Sequence, residues 1–308
     1  MNGSAVQPHA NYADRAWFGA VTVEENVRLA RDTYRLRVRC PEIAGKIVPG
    51  QFVMLRLAGY DDPLLGRPLA LYDTVLDSAG RPIGIDLVYL VTGKLTGKLA
   101  SCSPGQTLEV WGPLGNGFSP EPAQHLIMVA GGIGQTPFVA VTREALGRRA
   151  YGEWPRTAPW AERVTLCYGA RMRDYLAGID DFERAGAMVR VSTDDGTAGQ
   201  RGLVTALLDE LLAAEIDVAA CRVVCCGPEP MMAAVAEMTA SYRVRCQLSL
   251  ETPMACGIGV CFTCVARVRD DRGGWDYRRT CIEGPVFDAQ SILFDKAVPP
   301  ESKSVTIV

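Results

Sequence analysis

Residues 126–137 read LIMVAGGIGQTP, in which five apolar residues run directly into a turn with three glycines. An apolar run of this length is typical of a strand buried on both faces of a parallel sheet. A helical pattern follows to about Gly147, and Pro137 suits the first turn of that helix because its missing N–H is not needed there. A strand, a glycine turn and a helix in this order present backbone N–H groups to a pyrophosphate. The stretch predicts a nucleotide-binding βα unit.

The pattern continues downstream of this unit. Three further runs have the composition of buried strands: Val164 to Tyr168, Met188 to Ser192 and Arg222 to Cys226. Helical segments lie between them, notably over 203–214 and 230–241. Strands that alternate with helices indicate βαβ units and a parallel α/β sheet.

Upstream, from Phe18 to about Phe118, the sequence has a different pattern of apolar and polar residues. Apolar residues alternate with polar ones in short segments, as at Val21 and Val23, and turns such as Pro49-Gly50 separate the segments. Several short strands at this spacing predict a small antiparallel β-barrel.

Composition limits the functions that this chain can have. The 308 residues are 48% hydrophobic and 22% charged, with a formal net charge of −3, so a nucleic-acid partner is not expected. No apolar run approaches the roughly 18 residues of a membrane span. Eleven cysteines, an odd number, and no recognisable signal peptide argue against a secreted disulfide framework. We expect a cytoplasmic protein whose thiols are reduced or bound to metal.

Four of the cysteines have metal-ligand spacing. Cys256, Cys261 and Cys264 form C-x4-C-x2-C, and Cys281 follows, which is the plant-type arrangement for a [2Fe–2S] cluster. Gly257 and Gly259 would allow unusual backbone angles and leave room for the inorganic sulfides. A structural zinc site is the alternative, but it usually has two short C-x2-C knuckles and this stretch has one.

A second motif lies in the barrel region and suggests a family. Arg67-Pro68-Leu69-Ala70 resembles the R-x-[YP]-[ST] flavin motif of the ferredoxin–NADP reductase superfamily. The resemblance implies that Arg67 neutralises the FAD pyrophosphate and that the following residues line the isoalloxazine. The family has Ser or Thr where this chain has Ala70, which removes a hydroxyl that could bond the flavin. The resemblance also implies FAD contacts at five positions: Val88, Tyr89, Leu90, Leu95 and Thr96.

The same family has two nucleotide turns that this sequence matches. The resemblance implies that the glycine turn cradles NAD(H) through Gly131, Gly132, Gly134, Thr136 and Pro137. It further implies that the turn Cys226-Gly227-Pro228 lies beside the nicotinamide, with Gly227 allowing close approach. NADH rather than NADPH is expected from the resemblance alone.

The order of the motifs narrows the resemblance. Only about 60 residues follow Ser249, too few for a complete plant ferredoxin domain after a linker. A cysteine region this short, placed directly after the nucleotide domain, resembles that of the electron-transfer subunits of type B dihydroorotate dehydrogenase. The predicted architecture is therefore multi-domain: a loose tail (1–16), an FAD-binding antiparallel β-barrel (17–118), an NAD-binding α/β parallel-sheet domain (119–248) and a small [2Fe–2S] domain (249–308).

The resemblance implies an NAD(P)H–flavin oxidoreductase of pyrimidine biosynthesis. It would pass electrons between NAD and an FMN-containing catalytic subunit, through the cluster and FAD, in a heterotetramer. No acid–base pair is expected, because the cofactors would supply the chemistry. One alternative is a related reductase subunit that serves a hydrogenase, a sulfide or ferredoxin oxidoreductase, or an oxygenase. Another is a zinc-bearing binding module without enzymatic activity.

Overall fold

The computed structural model describes residues 15–154, 156–270 and 273–294. The predicted tail falls outside the described residues except for its last two positions, and so does the end of the predicted cluster domain from residue 295 onward. Within the described ranges no helix is long and apolar enough to cross a bilayer.

The amino-terminal part is a closed antiparallel barrel with strand order β1-β2-β5-β4-β3-β6. Apolar residues at alternate positions point inward and form one core, as Val53 and Leu55 do in β3. Two short helices accompany the barrel, α1 (Pro41–Ala44) and α2 (Lys94–Leu99). The six strands are β1 (Trp17–Ala30), β2 (Thr33–Arg39), β3 (Phe52–Leu57), β4 (Arg67–Leu76), β5 (Pro82–Leu90) and β6 (Thr107–Leu114).

A seven-stranded sheet follows, with order β10-β9-β8-β7-β11-β12-β15, parallel except for its last strand. Its strands are β7 (Ala123–Gly131), β8 (Ala161–Ala170), β9 (Met188–Thr193), β10 (Gln200–Arg201), β11 (Cys221–Cys226), β12 (Arg245–Ser249) and β15 (Val286–Asp288). Its helices are α3 (Phe138–Ala145), α4 (Ile179–Ala185), α5 (Val204–Ala214) and α6 (Glu229–Ser241). The predicted barrel and parallel α/β sheet are both confirmed.

The cysteine-rich part contains the hairpin β13 (Val265–Arg269) and β14 (Trp275–Arg279). After Cys281 the chain returns to the nucleotide sheet as β15, where Val286 pairs with Ser249 of β12. No pattern in the sequence predicted this seventh strand of the sheet. The small region is therefore joined to the sheet by backbone hydrogen bonds.

The glycine turn differs in one detail from the prediction. Residues 132–135 form a 3-10 turn, and Pro137 occupies the N-cap position of α3 rather than its first turn. Because residues 132–135 form this separate turn, α3 begins only at Phe138. The helix ends at Ala145, just before Gly147, which has a φ of +67°.

Candidate redox site

The structure brings the four motif cysteines together as two close pairs. Cys256 lies close enough to Cys261, and Cys281 close enough to Cys264, to influence the ionisation of that thiol. Cys264 and Cys281 are buried, whereas Cys261 is exposed. The set therefore has one pair turned toward the protein and one thiol turned toward solvent.

The paired arrangement fits two metal ions better than one. A tetrahedral zinc ion with Zn–S bonds of about 2.3 Å would hold its four sulfurs about 3.8 Å apart. In the described part of the chain, the only metal-ligand group with three atoms mutually within 4.8 Å is a different one, His125, Glu215 and Cys221. Two cysteines for each of two irons is the ligand set of a [2Fe–2S] cluster.

The local environment favours thiolates in part of this set. Hydrogen bonding by the Thr263 side chain and backbone lowers the pKa of Cys261 to about 6, with a Thr263 Oγ1–Sγ distance of 3.0 Å. The hydrogen bond from Cys281 lowers the pKa of Cys264 to about 6, and the same bond raises the pKa of Cys281. Thiolate is the form that binds iron.

The two glycines of the cluster loop have a second role that the sequence did not suggest. Gly257 and Gly259 have φ of +73° and +82°, as the motif predicts. A Cβ on Gly257 would lie 2.5 Å from Cγ of Met54 in the barrel, and one on Gly259 would lie 2.7 Å from Cγ1 of Ile282. These glycines therefore let the loop pack closely on protein atoms.

The candidate flavin motif begins β4. Leu69 and Leu71 point into the barrel core, whereas Pro68 and Ala70 are half-buried on the outer face. The exposed Arg67 guanidinium donates only to the backbone oxygens of Leu65 and Gly66, at 3.1 and 3.0 Å, and has no carboxylate partner among the described residues. An uncompensated guanidinium at this position fits a pyrophosphate.

The cluster loop lies on the strand next to this motif. Phe52 and Met54 of β3 face outward and pack with Met254, Cys264 and Cys281. The same two residues are the cross-strand partners of Ala70 and Pro68. The candidate flavin face and the cluster loop therefore occupy neighbouring strands of the barrel wall.

The remaining predicted FAD residues are placed less favourably for side-chain contact. Tyr89 and Leu95 belong to the barrel core, and Val88 packs between the barrel and the nucleotide sheet. The Thr96 hydroxyl accepts from the backbone N–H groups of Thr92 and Gly93 and so orders the start of α2. Flavin contacts at the three buried residues would involve backbone atoms.

The glycine turn after β7 and the Cys226-Gly227-Pro228 turn after β11 pack closely against each other. Ala130 of β7 pairs with Cys226 of β11, so both turns leave the sheet side by side at the carboxyl ends of the strands. A Cβ on Gly131 would lie 2.7 Å from Cδ of Pro228, and one on Gly227 would lie 2.9 Å from the Gly131 nitrogen. A Cβ on Gly134 would collide with the Cys226 carbonyl. These three glycines are required by packing.

Gly132 differs from the other glycines of the turn. Its φ is +54°, and a Cβ built on it would meet no atom within 4 Å. An open glycine at a nucleotide turn is where a ligand phosphate can approach the backbone.

Gln135, three residues further on, is a residue that no motif in the sequence singles out. It is fully buried, and both polar atoms of its amide lack a hydrogen-bond partner.

Cys226 is buried at the end of β11, where burial raises the pKa of its thiol. The thiol is therefore neutral near pH 7 and can pack against a ring, but it is not a nucleophile.

His125, Glu215 and Cys221 form a structural group. Both ring nitrogens of His125 are engaged, with Glu215 Oε1 at 2.6 Å and Thr165 Oγ1 at 2.8 Å. Arg163 also donates to Glu215, which disfavours a second cation there.

Comparison with protein families defines the class. An oxidoreductase FAD-binding domain matches residues 20–118 and an oxidoreductase NAD-binding domain matches 128–237. The iron–sulfur cluster binding domain of dihydroorotate dehydrogenase B matches 251–293. The protein is thus an FAD- and NAD-binding oxidoreductase with an iron–sulfur domain, which confirms the predicted set of cofactors.

Individual relatives narrow the class to one family. The chain is 33% identical over 279 residues to the dihydroorotate dehydrogenase B (NAD(+)) electron transfer subunit of Caldanaerobacter subterraneus subsp. tengcongensis, covering 90% of this chain and 99% of the relative. It is 34% identical to that of Bacillus caldolyticus, covering 89% and 97%. The chain belongs to the family of dihydroorotate dehydrogenase B electron transfer subunits, which confirms the resemblance drawn from its motifs.

Solved structures agree on the fold. One similar chain comes from the NADH-dependent reduced ferredoxin–NADP oxidoreductase of flavin-based electron bifurcation, with a TM-score of 0.73 and 26% identity over 89% of this chain and 90% of that one. A ferredoxin reductase of carbazole 1,9a-dioxygenase matches with a TM-score of 0.60 and 19% identity over 74% and 67%. The second likeness concerns the fold alone.

Proposed function

We propose that this chain is the electron-transfer subunit of a dihydroorotate-oxidising enzyme of pyrimidine biosynthesis. It would pass electrons between an FMN-containing catalytic subunit and NAD. The observation that supports this most strongly is the position of the cysteine loop on β3, directly beside the candidate flavin strand β4. When bound, FAD supplies hydride exchange with nicotinamide and single-electron exchange with an iron–sulfur cluster.

The residues divide among three cofactors in this proposal. Arg67 would bind the FAD pyrophosphate, with Pro68 and Ala70 against the ring system. Gly132 and its turn would receive NAD(H), and Cys226 would pack beside the nicotinamide. The two cysteine pairs would each hold one iron of a [2Fe–2S] cluster, with the pair that includes the exposed Cys261 outward and the buried pair toward the barrel.

A surface for the catalytic subunit lies on the cluster loop, on the side of the exposed Cys261. Three apolar side chains are exposed there, Ile258, Val260 and Phe262, and we call them the loop patch. Phe262 is 64% exposed and has a φ of +56°, a backbone conformation that a bulky residue adopts rarely and often at functional sites. The Arg279 guanidinium lies 4.9 Å from the centre of its ring. An apolar patch of this kind suits a protein partner.

A second candidate is a reductase subunit that serves a different redox partner, such as a ferredoxin oxidoreductase. The likeness to the bifurcating ferredoxin–NADP oxidoreductase over 89% of this chain favours it. The residues for FAD, NAD and the cluster would be the same, so the partner alone separates the two candidates. In either case we propose a cytoplasmic location, which is supported by eleven cysteines of which none forms a disulfide.

Reconstitution tests the partner. The holoprotein is mixed under anaerobic conditions with dihydroorotate and NAD⁺, with and without a type B dihydroorotate dehydrogenase catalytic subunit. We expect NADH to form only when both proteins are present. Formation of NADH by this chain alone would contradict the proposed division of labour. Failure with the catalytic subunit, together with turnover on reduced ferredoxin, would establish the second candidate instead.

A further inference from the structure

Two barrel side chains hold the cysteine region on both sides of its four cysteines. Trp111, in β6, donates from Nε1 to the Cys256 carbonyl at 2.8 Å. On its other side, the Trp111 ring lies against Gly66, where a Cβ would approach its Cη2 atom to 2.7 Å. Gly66 directly precedes Arg67. One indole therefore spans from the start of the candidate flavin strand to the first cysteine.

The second contact lies beyond Cys281. The Asn116 side chain donates from Nδ2 to the Val286 carbonyl at 2.8 Å and to the Glu283 carbonyl at 3.3 Å. Its Oδ1 accepts from the Val286 N–H at 2.9 Å. The Asn116 backbone N–H donates to the Gly284 carbonyl at 2.6 Å. Both the amide oxygen and the amide nitrogen of Asn116 therefore bond to backbone groups of the segment after Cys281.

The position of Val286 extends this contact to the third part of the molecule. Val286 also pairs with Ser249 in the nucleotide sheet. Asn116 therefore connects the end of the barrel, the segment after Cys281 and the sheet that carries the nucleotide turns. Substitution of either side chain would keep the four cysteine ligands and remove one of the contacts that hold this region to the barrel.

We propose that Trp111 and Asn116 are positioning residues that fix the distance between the iron–sulfur cluster and FAD, and so set the rate of electron exchange between them. This inference rests on the proposed function. Electron tunnelling falls exponentially with distance, so a cluster displaced away from FAD would exchange electrons with it more slowly. In the test reaction NADH is oxidised to NAD⁺ and its hydride reduces FAD. One of the two electrons then passes to the oxidised cluster, while the proton stays with the flavin.

The test uses the holoprotein and its Trp111→Phe and Asn116→Ala variants. Gln290→Ala is the matched control, because Gln290 Nε2 also holds the segment after Cys281, but donates to the Ala236 carbonyl of α6 in the nucleotide domain, at 3.0 Å, and not to the barrel. Rapid mixing with NADH separates bleaching of the flavin from bleaching of the cluster. Iron and sulfide content, the midpoint potential of the cluster and amide exchange over 283–288 are measured in parallel.

We expect cluster reduction to slow severalfold in both variants, with flavin reduction, cluster content and midpoint potential unchanged. Amide exchange over 283–288 should increase in the Asn116 variant and not in the Gln290 control. Unchanged cluster reduction, or a slowing explained by lost iron or a shifted potential, would overturn the inference. A wild-type protein whose cluster NADH does not reduce at all would instead contradict the proposed function.

Discussion

Met54 and Pro68 are directly opposed cross-strand neighbours on the outer face of the barrel. Opposed residues of an antiparallel pair have Cα atoms about 4.5–5.5 Å apart. Met54 lies beneath the cysteine loop, against Gly257, and Pro68 belongs to the candidate flavin motif. The cysteine loop and the candidate flavin motif, distant in sequence, are thus separated by one step between neighbouring strands.

Arg67 offers a direct test of the flavin site. Arg67→Ala should weaken FAD binding by about 1.5–3 kcal/mol, the usual range for a hydrogen bond to a charged group, or about 10- to 100-fold. Calorimetric titration of the apoprotein with FAD measures the change. Arg81→Ala is the control, because Arg81 is an exposed barrel arginine paired with Asp77. Equal affinity in the two variants would place the pyrophosphate elsewhere.

Substitutions in the glycine turn can distinguish a glycine needed for ligand approach, Gly132, from one needed for packing, Gly134. Gly132→Val should fold, at a strain cost of about 1–2 kcal/mol for its positive φ, and should raise the KM for NADH about tenfold or more with FAD retained. Gly80→Ala is the control for strain, since Gly80 also has a positive φ and open space. Gly134→Ala should instead lower thermal stability. A KM for NADH unchanged in Gly132→Val would mean that the nucleotide binds elsewhere.

Phe262 tests the loop patch. Phe262→Asp should weaken binding of the catalytic subunit by about 2 kcal/mol or more, or roughly 30-fold, because aromatic side chains dominate such interfaces. Cluster content should not change. Ile216→Asp is the matched control, since Ile216 is fully exposed on the nucleotide domain. Equal binding by the two variants, measured by ultracentrifugation, would remove the loop patch from the interface.

His125 should make the stability of the fold depend on pH. Burial lowers its pKa below the usual 6.5, so the unfolded state binds this proton more readily than the folded state. The contribution of neutral His125 to the free energy of unfolding is complete above pH 6.5. It is lost as the pH falls from 6.5 toward and through the pKa that His125 has in the folded protein. Urea unfolding at pH 7.5 and 5.5 should show the loss, and His125→Gln should reduce it. An identical pH dependence in the variant would assign the effect to other groups.

Features that depend on neighbouring residues in the chain could be predicted from the sequence, whereas contacts between distant residues could not. The cysteine spacing, the glycine turn and the alternation of the barrel strands are local patterns, and each is found in the structure. Trp111 and Asn116 reach residues 145 and 170 positions away along the chain, so no local pattern could reveal their contacts. Gln135 stands out only when its burial is known. The strand β15 is three residues long and is recognised only by its partner β12.

NADH, FAD and a cluster held by the four cysteines are proposed to form one electron path within this chain. Anaerobic titration with NADH, followed by visible and electron paramagnetic resonance spectroscopy, measures whether electrons follow this path. We expect NADH to reduce both the flavin and a [2Fe–2S] cluster in the wild type and in Cys102→Ser, and the flavin alone in Cys264→Ser. A wild-type cluster that stays oxidised while the flavin is fully reduced, or a cluster signal that survives in Cys264→Ser, would contradict it.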